Sequence, residues 1–133
     1  MNKKIVIMII DDNRIDVFIH NELIKQINIA SNILEYSFAT QALKFLEENE
    51  LDQWPNLILL DIHMPIMNGF DFLEKYELLP ESKRNKCHII IVSSSLDTGD
   101  KTKSVENPHV LELIEKPMNT DKLKNILIKN QII

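Results

Sequence analysis

The sequence predicts an α/β fold: a doubly wound parallel sheet of five strands in (βα)5 alternation, with strand order 2-1-3-4-5. Three observations carry this. Five short apolar runs alternate with segments of helical spacing, and strict alternation of that kind gives a parallel sheet with helices on both faces. Three of the runs are almost unbroken Ile, Leu, Val and Met, the mark of strands covered on both faces. The chain, at 133 residues, suits one hydrophobic core.

The first run, Ile5–Ile10, predicts a central strand. After the cap residue Asn13, Ile15, Phe18, Ile19 and Leu23 fall at helical spacing, so they are expected to form the buried face of the first helix. The second run, Ile33–Phe38, alternates, with Glu35 and Ser37 on one side, and reads as an edge strand. Ala39, Ala42, Leu43 and Leu46 mark the second helix. Leu57–Leu60 is the third strand, and Phe70, Leu73 and Tyr76 form a stripe after Gly69. His88–Val92 is the fourth strand. The fourth helix is expected near Asp100, short and mobile, since Val105 is its one aliphatic residue. Val110–Ile114 alternates and reads as the other edge. Leu123, Ile126 and Leu127 follow a cap at Thr120 in the last helix. The order 2-1-3-4-5 places the three most apolar strands in the middle.

A hydrophobic share of 44% with 26% charged residues is an ordinary globular composition. The net charge of -5 argues against non-specific nucleic-acid binding, which needs Lys and Arg against phosphates. One cysteine, Cys87, forms no internal disulfide and suits a reducing cytosol. The opening "MNKKIVIMII" imitates a signal peptide, but its apolar run stops at Asp11-Asp12 without a cleavage site. No stretch approaches the ~18 apolar residues of a membrane span. The expectation is a cytoplasmic protein with no membrane or nucleic-acid partner, and one domain over residues 1–133 without an output domain.

Ligands of open parallel sheets bind outside the carboxyl ends of the strands. Asp11, Asp12 and Asn13 follow strand one, Asp61 follows strand three, Ser93, Ser94 and Ser95 end strand four, and Lys116-Pro117 follow strand five. Separately each has a plain reading: a helix cap, a turn residue, a loop, a solvated charge. Together they meet at one edge of one sheet. Three carboxylates there repel one another. A divalent cation would compensate, and oxygen ligands suit Mg2+. Mg2+ and Lys116 would bring the local charge near zero. A carboxylate so placed can attack a phosphoryl group, with metal, lysine and hydroxyl stabilising the transferred oxygens.

The segments "IIDDN", "LLDIHMPIMNGF", "IIIVSSS" and "IEKP" resemble, in this order, the four signature segments of the receiver (CheY-like) domains of two-component response regulators. The resemblance spans essentially the whole chain and implies a flavodoxin-like fold. It implies Asp61 as phosphoacceptor. It implies Asp12, Asp61 and the backbone carbonyl of His63 as Mg2+ ligands, with Asp11 acting through water. Lys116 would pair with the phosphoryl group, aimed by a cis Lys116–Pro117 bond. Ser93 would donate its hydroxyl and report phosphorylation, Ser94 and Ser95 would modulate, and Gly69 would permit a turn that places the third helix. The implied donor is a phosphohistidine on a sensor histidine kinase or a histidine phosphotransfer domain, and the implied output is conformational, to a partner protein. The sequence departs from the family at Leu113, where receivers usually carry Tyr or Phe. The switch there would rely on Ser93. His63, two residues after the acceptor, either lines the pocket mouth or tunes the access of attacking water.

Other functions meet objections. A flavodoxin-like electron carrier needs a phosphate loop after strand one, where Asp11 and Asp12 would repel the flavin phosphate. A haloacid-dehalogenase-type phosphatase places its nucleophile after strand one in a D-x-D pattern, and here His63 stands where its acidic proton donor belongs. A phosphorylation-independent interaction module stays open through Leu113. His20, His88 and His109 are dispersed, against a zinc site.

Overall fold

A computed structural model describes residues 3–133. The strands are β1 (Ile5–Ile10), β2 (Ala30–Tyr36), β3 (Leu57–Leu60), β4 (His88–Ser93) and β5 (Val110–Glu115). The helices are α1 (Arg14–Ile27), α2 (Ala39–Glu48), α3 (Gly69–Tyr76), α4 (Thr98–Glu106) and α5 (Thr120–Lys129). Two single turns, Leu51–Gln53 and Glu81–Arg84, are additional. All pairings are parallel, in the order β2-β1-β3-β4-β5. The expected architecture is therefore the observed one.

Side chains alternate along each central strand, so the sheet makes two cores. Ile5, Ile7, Ile9, Leu57, Leu59, Ile90 and Val92 pack with Ile24 of α1 and Leu123, Ile126 and Leu127 of α5. Met8, Ile10, Ile58, Leu60, Ile89 and Ile91 pack with Leu43 and Leu46 of α2 and Phe72, Leu73 and Tyr76 of α3. With strands buried on both faces, every second residue must be apolar toward each layer, hence the unbroken runs. Trp54 is fully buried and donates its Nε1–H to the carbonyls of Leu46 and Asn49, at 3.0 and 3.2 Å. It closes the end of α2, a role its isolated position in the sequence does not announce.

The structure corrects several local expectations. β2 runs from Ala30 to Tyr36, not from Ile33 to Phe38, because Ile5 pairs with Ala30 across a register shift and Phe38 becomes the residue before α2. Its outward residues Ser31 and Asn32 are exposed, as an edge strand allows. Phe72, not Phe70, joins the buried stripe of α3. The cap of α5 is Asn119, whose side chain accepts from the Lys122 N–H. α4 begins at Thr98, held by a reciprocal capping box between Asp97 and Asp100. Val105 is 81% exposed, and the helix buries Ser104 instead.

The largest correction concerns α1. Ile15, Phe18 and Ile19 are exposed, while His20 and Ile24 are buried and Val17, Leu23 and Ile27 pack beside them. Both stripes have helical spacing, so apolar count does not choose between them. In the observed rotation the Asn13 side chain accepts from the Ile15 and Asp16 N–H groups, and Asp16 pairs with Lys116 across the molecule.

Candidate functional site

The site stands at the carboxyl end of the sheet. Asp11 directly follows β1, Asp61 directly follows β3 and Ser93 ends β4, and all three are buried. Regular pairing delivers them there: the Asp61 N–H donates to the Ile10 carbonyl at 3.0 Å, and the Lys116 N–H donates to the Ser93 carbonyl at 2.9 Å. The Lys116–Pro117 peptide is cis, as expected.

Three donors meet at Asp61. Ser93 Oγ donates to its Oδ1 at 3.0 Å, and the His63 N–H reaches the same oxygen at 3.1 Å. Lys116 Nζ donates to Oδ2 at 3.1 Å. Burial pushes the Asp61 carboxyl up, but the His63 N–H, the Lys116 charge and the Ser93 hydroxyl outweigh it, so the group titrates below its usual value. It is ionised at neutral pH, with both oxygens hydrogen-bonded.

Lys116 serves three carboxylates. Its Nζ lies 2.8 Å from Asp11, 2.8 Å from Asp16 and 3.1 Å from Asp61. Burial would lower its pKa, but the bonds from Asp11 and Asp16 hold it above the ordinary lysine value. Asp11 shifts the other way for a carboxylate in an ion pair. Burial pushes it up to about 6 against the Lys116 bond and the Asn13 N–H, and the Asp61 charge adds to the rise. The two directions agree physically: the ammonium is stabilised by all three carboxylates, while Asp11 receives only a share of one ammonium.

Asp11, Asp12 and Asp61 each offer an oxygen, and the three atoms lie within 4.8 Å of one another. Asp11 and Asp61 are buried and Asp12 is exposed. An all-oxygen set with one open side fits Mg2+, which keeps several waters. The excess of negative charge left after Lys116 fits the same ion.

The turn after β3 is shaped differently from expectation. Gly69 has no positive φ; it is required by contact. A Cβ there would stand 2.7 Å from Ile62 Cα and 2.8 Å from the Asp61 carbonyl oxygen. Its N–H donates to the Ile62 carbonyl at 3.1 Å, closing the loop onto the strand end. The positive φ falls on Ile66, at 70°, in a tight turn where the Met67 N–H reaches the Pro65 carbonyl at 2.7 Å.

His63 turns its side chain away from the acceptor. Its Nε2 meets the Ser95 carbonyl oxygen and lies 3.7 Å from Asp100 of α4. Ser94 and Ser95 are exposed on that loop. Leu113 is half-buried against the α2–α3 core, and its carbonyl accepts from Lys122 Nζ at 3.4 Å. Sequence reasoning missed Asp16 as a partner of Lys116, since an acid in the first turn of a helix is ordinary on dipole grounds alone. His20, set aside from sequence as a dispersed histidine, is buried on α1 with its pKa lowered by burial and by the Lys116 charge. A cleft of about 510 Å3 between α1 and β2, reached by Arg14, Glu22 and Glu35, lies away from this cluster.

The response regulator receiver domain profile matches residues 7–128. The chain is 30% identical, over 96% of its length, to protein-glutamate methylesterase/protein-glutamine glutaminase 1 of Pseudomonas savastanoi pv. phaseolicola. It spans 33% of that relative, and 13% of the autoinducer 1 sensor kinase/phosphatase LuxN of Vibrio campbellii, to which it is 27% identical over 95% of its length, so only a part of each is comparable. Among solved structures it resembles the response regulator receiver protein from Dyadobacter fermentans, with TM-score 0.85 and 30% identity over 93% of this chain and 95% of that one. It also resembles a two component response regulator from Cytophaga hutchinsonii, with TM-score 0.88 and 27% identity over 98% and 100%. Fold, acidic cluster and profile agree: the chain belongs to the response regulator receiver domain family of two-component signalling.

Proposed function

We propose that this receiver accepts a phosphoryl group on Asp61 from a phosphohistidine of a sensor histidine kinase or a histidine phosphotransfer domain, in a Mg2+-dependent reaction. The observation that carries the reading is the threefold hold on Asp61 by Ser93, Lys116 and the His63 N–H, which leaves a buried, ionised and oriented carboxylate. One Asp61 oxygen attacks phosphorus. The P–N bond of the phosphohistidine breaks, its electron pair stays on the imidazole nitrogen, and an acyl phosphate forms. Asp12, Asp61 and the His63 carbonyl would hold Mg2+, with Asp11 acting through water, and the ion when bound supplies positive charge against the phosphoryl oxygens. Lys116 Nζ pairs with one phosphoryl oxygen, and Ser93 Oγ–H, released from Asp61, donates to another. The protein is a phosphoacceptor, not an enzyme acting on an outside substrate. With Leu113 in the place of an aromatic ring, the signal passes through Ser93 and the loop that carries Ser94 and Ser95 to α4, and from there to a partner protein. A phosphohistidine donor of this class would meet the protein in the cytoplasm, a compartment that the free thiol of Cys87 suits.

Incubation with Mg2+ and acetyl phosphate should add the mass of one phosphoryl group. The addition should fail with a chelator and in Asp61→Asn. Addition that persists in Asp61→Asn would remove the assignment. The His63 side chain meets Ser95 and Asp100 beside the acceptor loop, so His63→Asn should free that loop, admit water and speed loss of the phosphoryl group. An unchanged decay rate would show that these contacts do not guard the site.

A further inference from the structure

Asp16 is the one member of the Lys116 cluster for which the proposed chemistry has no use. It lies on α1, in neither the expected metal set nor the acceptor's contacts. Yet its Oδ2 stands 2.8 Å from Lys116 Nζ, as close as Asp11 and closer than Asp61 at 3.1 Å. The ammonium therefore leans toward Asp11 and Asp16 and away from the carboxylate that is to carry the phosphoryl group. Its three N–H donors meet three carboxylates, so a phosphoryl oxygen has no vacant donor to meet.

One of the three partners must give way, and exposure decides which. The Asp11 side chain is 3% exposed and that of Asp61 7%, whereas that of Asp16 is 27% exposed. A buried carboxylate that loses its donor is left unsatisfied, at a high cost; one open to solvent takes water instead. Asp16 is the partner that Lys116 releases most cheaply. Its negative charge also stays beside a site that gains a dianionic group.

We propose that Asp16 is a resting-state partner of Lys116 that phosphoryl transfer displaces, a positioning residue that slows phosphorylation of Asp61 and shortens the life of the phosphorylated state. This rests on Asp61 being the phosphoacceptor. The competition acts through Lys116 alone: Asp16 touches neither the acceptor nor the incoming group. Its position beside Ile15 and one turn before Ile19, both exposed, puts the release within reach of anything that presses on that face of α1.

The test compares wild type, Asp16→Asn and Asp16→Ala with Mg2+ and acetyl phosphate, following phosphoryl incorporation and, after removal of the donor, its decay. A partly exposed ion pair accounts for up to about fivefold. Both variants should incorporate faster by up to that factor and lose the group more slowly. If Asp16 instead orients Lys116 productively, Asp16→Ala incorporates more slowly and Asp16→Asn restores part of the rate, and the proposal falls. Unchanged rates in both variants also overturn it. Failure of wild type itself to take up phosphate would strike at the acceptor assignment, a different and separable outcome. Circular dichroism and thermal melts of the two variants identify a folding defect, and a slow rate shared with a lowered melting point in Asp16→Ala leaves Asp16→Asn to decide.

Discussion

Asp11→Asn is expected to stabilise the metal-free protein at neutral pH by about 2 to 3 kcal/mol. Asp11 is a carboxylate with 3% of its side chain exposed, and its pKa rises from 3.8 to about 6 through burial and the charge of Asp61. The native state therefore binds this proton more tightly than the unfolded state does. Stability from the group is fully present below pH 3.8 and is lost as the pH rises through about 6. Asparagine carries no charge in either state, so the variant does not suffer this loss. Denaturant titrations from pH 4 to pH 7 should show the two proteins diverging as the pH rises. Asp61 has the opposite sign: its lowered pKa gives stability present above 3.8 and lost on acidification. Adding Mg2+ should stabilise wild type and help Asp11→Asn less, since the variant has already lost the repulsion that the ion relieves. A variant no more stable than wild type at pH 7 would contradict the charge balance argued for the site.

Gly69→Ala is expected to cost about 3 kcal/mol and to impair phosphoryl incorporation as well. The added methyl would meet Ile62 Cα at 2.7 Å, the Asp61 carbonyl oxygen at 2.8 Å and Ile62 Cγ2 at 2.8 Å. Two of these are backbone atoms at the end of β3, so the clash cannot be relieved by a rotamer. The start of α3 must move off the strand, or the strand end must move with the acceptor. Both break the Gly69 N–H bond to the Ile62 carbonyl. Denaturant midpoints measure the first effect and incorporation from acetyl phosphate measures the second. Normal values for both would show that the loop yields freely.

The sheet was legible because burial on both faces leaves unbroken apolar runs, and Ile5–Ile10, Leu57–Leu60 and Ile89–Val92 have few alternatives. Asp11, Asp61, Ser93 and Lys116 were legible because strand ends share one edge. The rotation of α1 was not, since two apolar stripes compete along it. Burying Val17, His20 and Ile24 brings Asp16 to Lys116, a contact between residues far apart in the chain that the local pattern does not announce. α4 was hard to place for a related reason. It is held by the Asp97–Asp100 capping box, by the Ser104 hydroxyl on the Asp100 carbonyl and by Lys103 over the Phe70 ring, none of which leaves a hydrophobic period. Gly69 was placed correctly for the wrong reason: sequence suggests freedom of φ, whereas the structure requires the absence of a side chain.

Chemical trapping tests whether Asp61 carries the phosphoryl group. Borohydride reduces an acyl phosphate to the alcohol, so protein treated with Mg2+ and acetyl phosphate and then reduced should contain homoserine at position 61. Peptide sequencing by mass spectrometry reads the position. Homoserine at residue 61 alone is the predicted result; modification at Asp11, Asp12 or Asp16 instead, or phosphate held on a hydroxyl that resists reduction, would contradict the account.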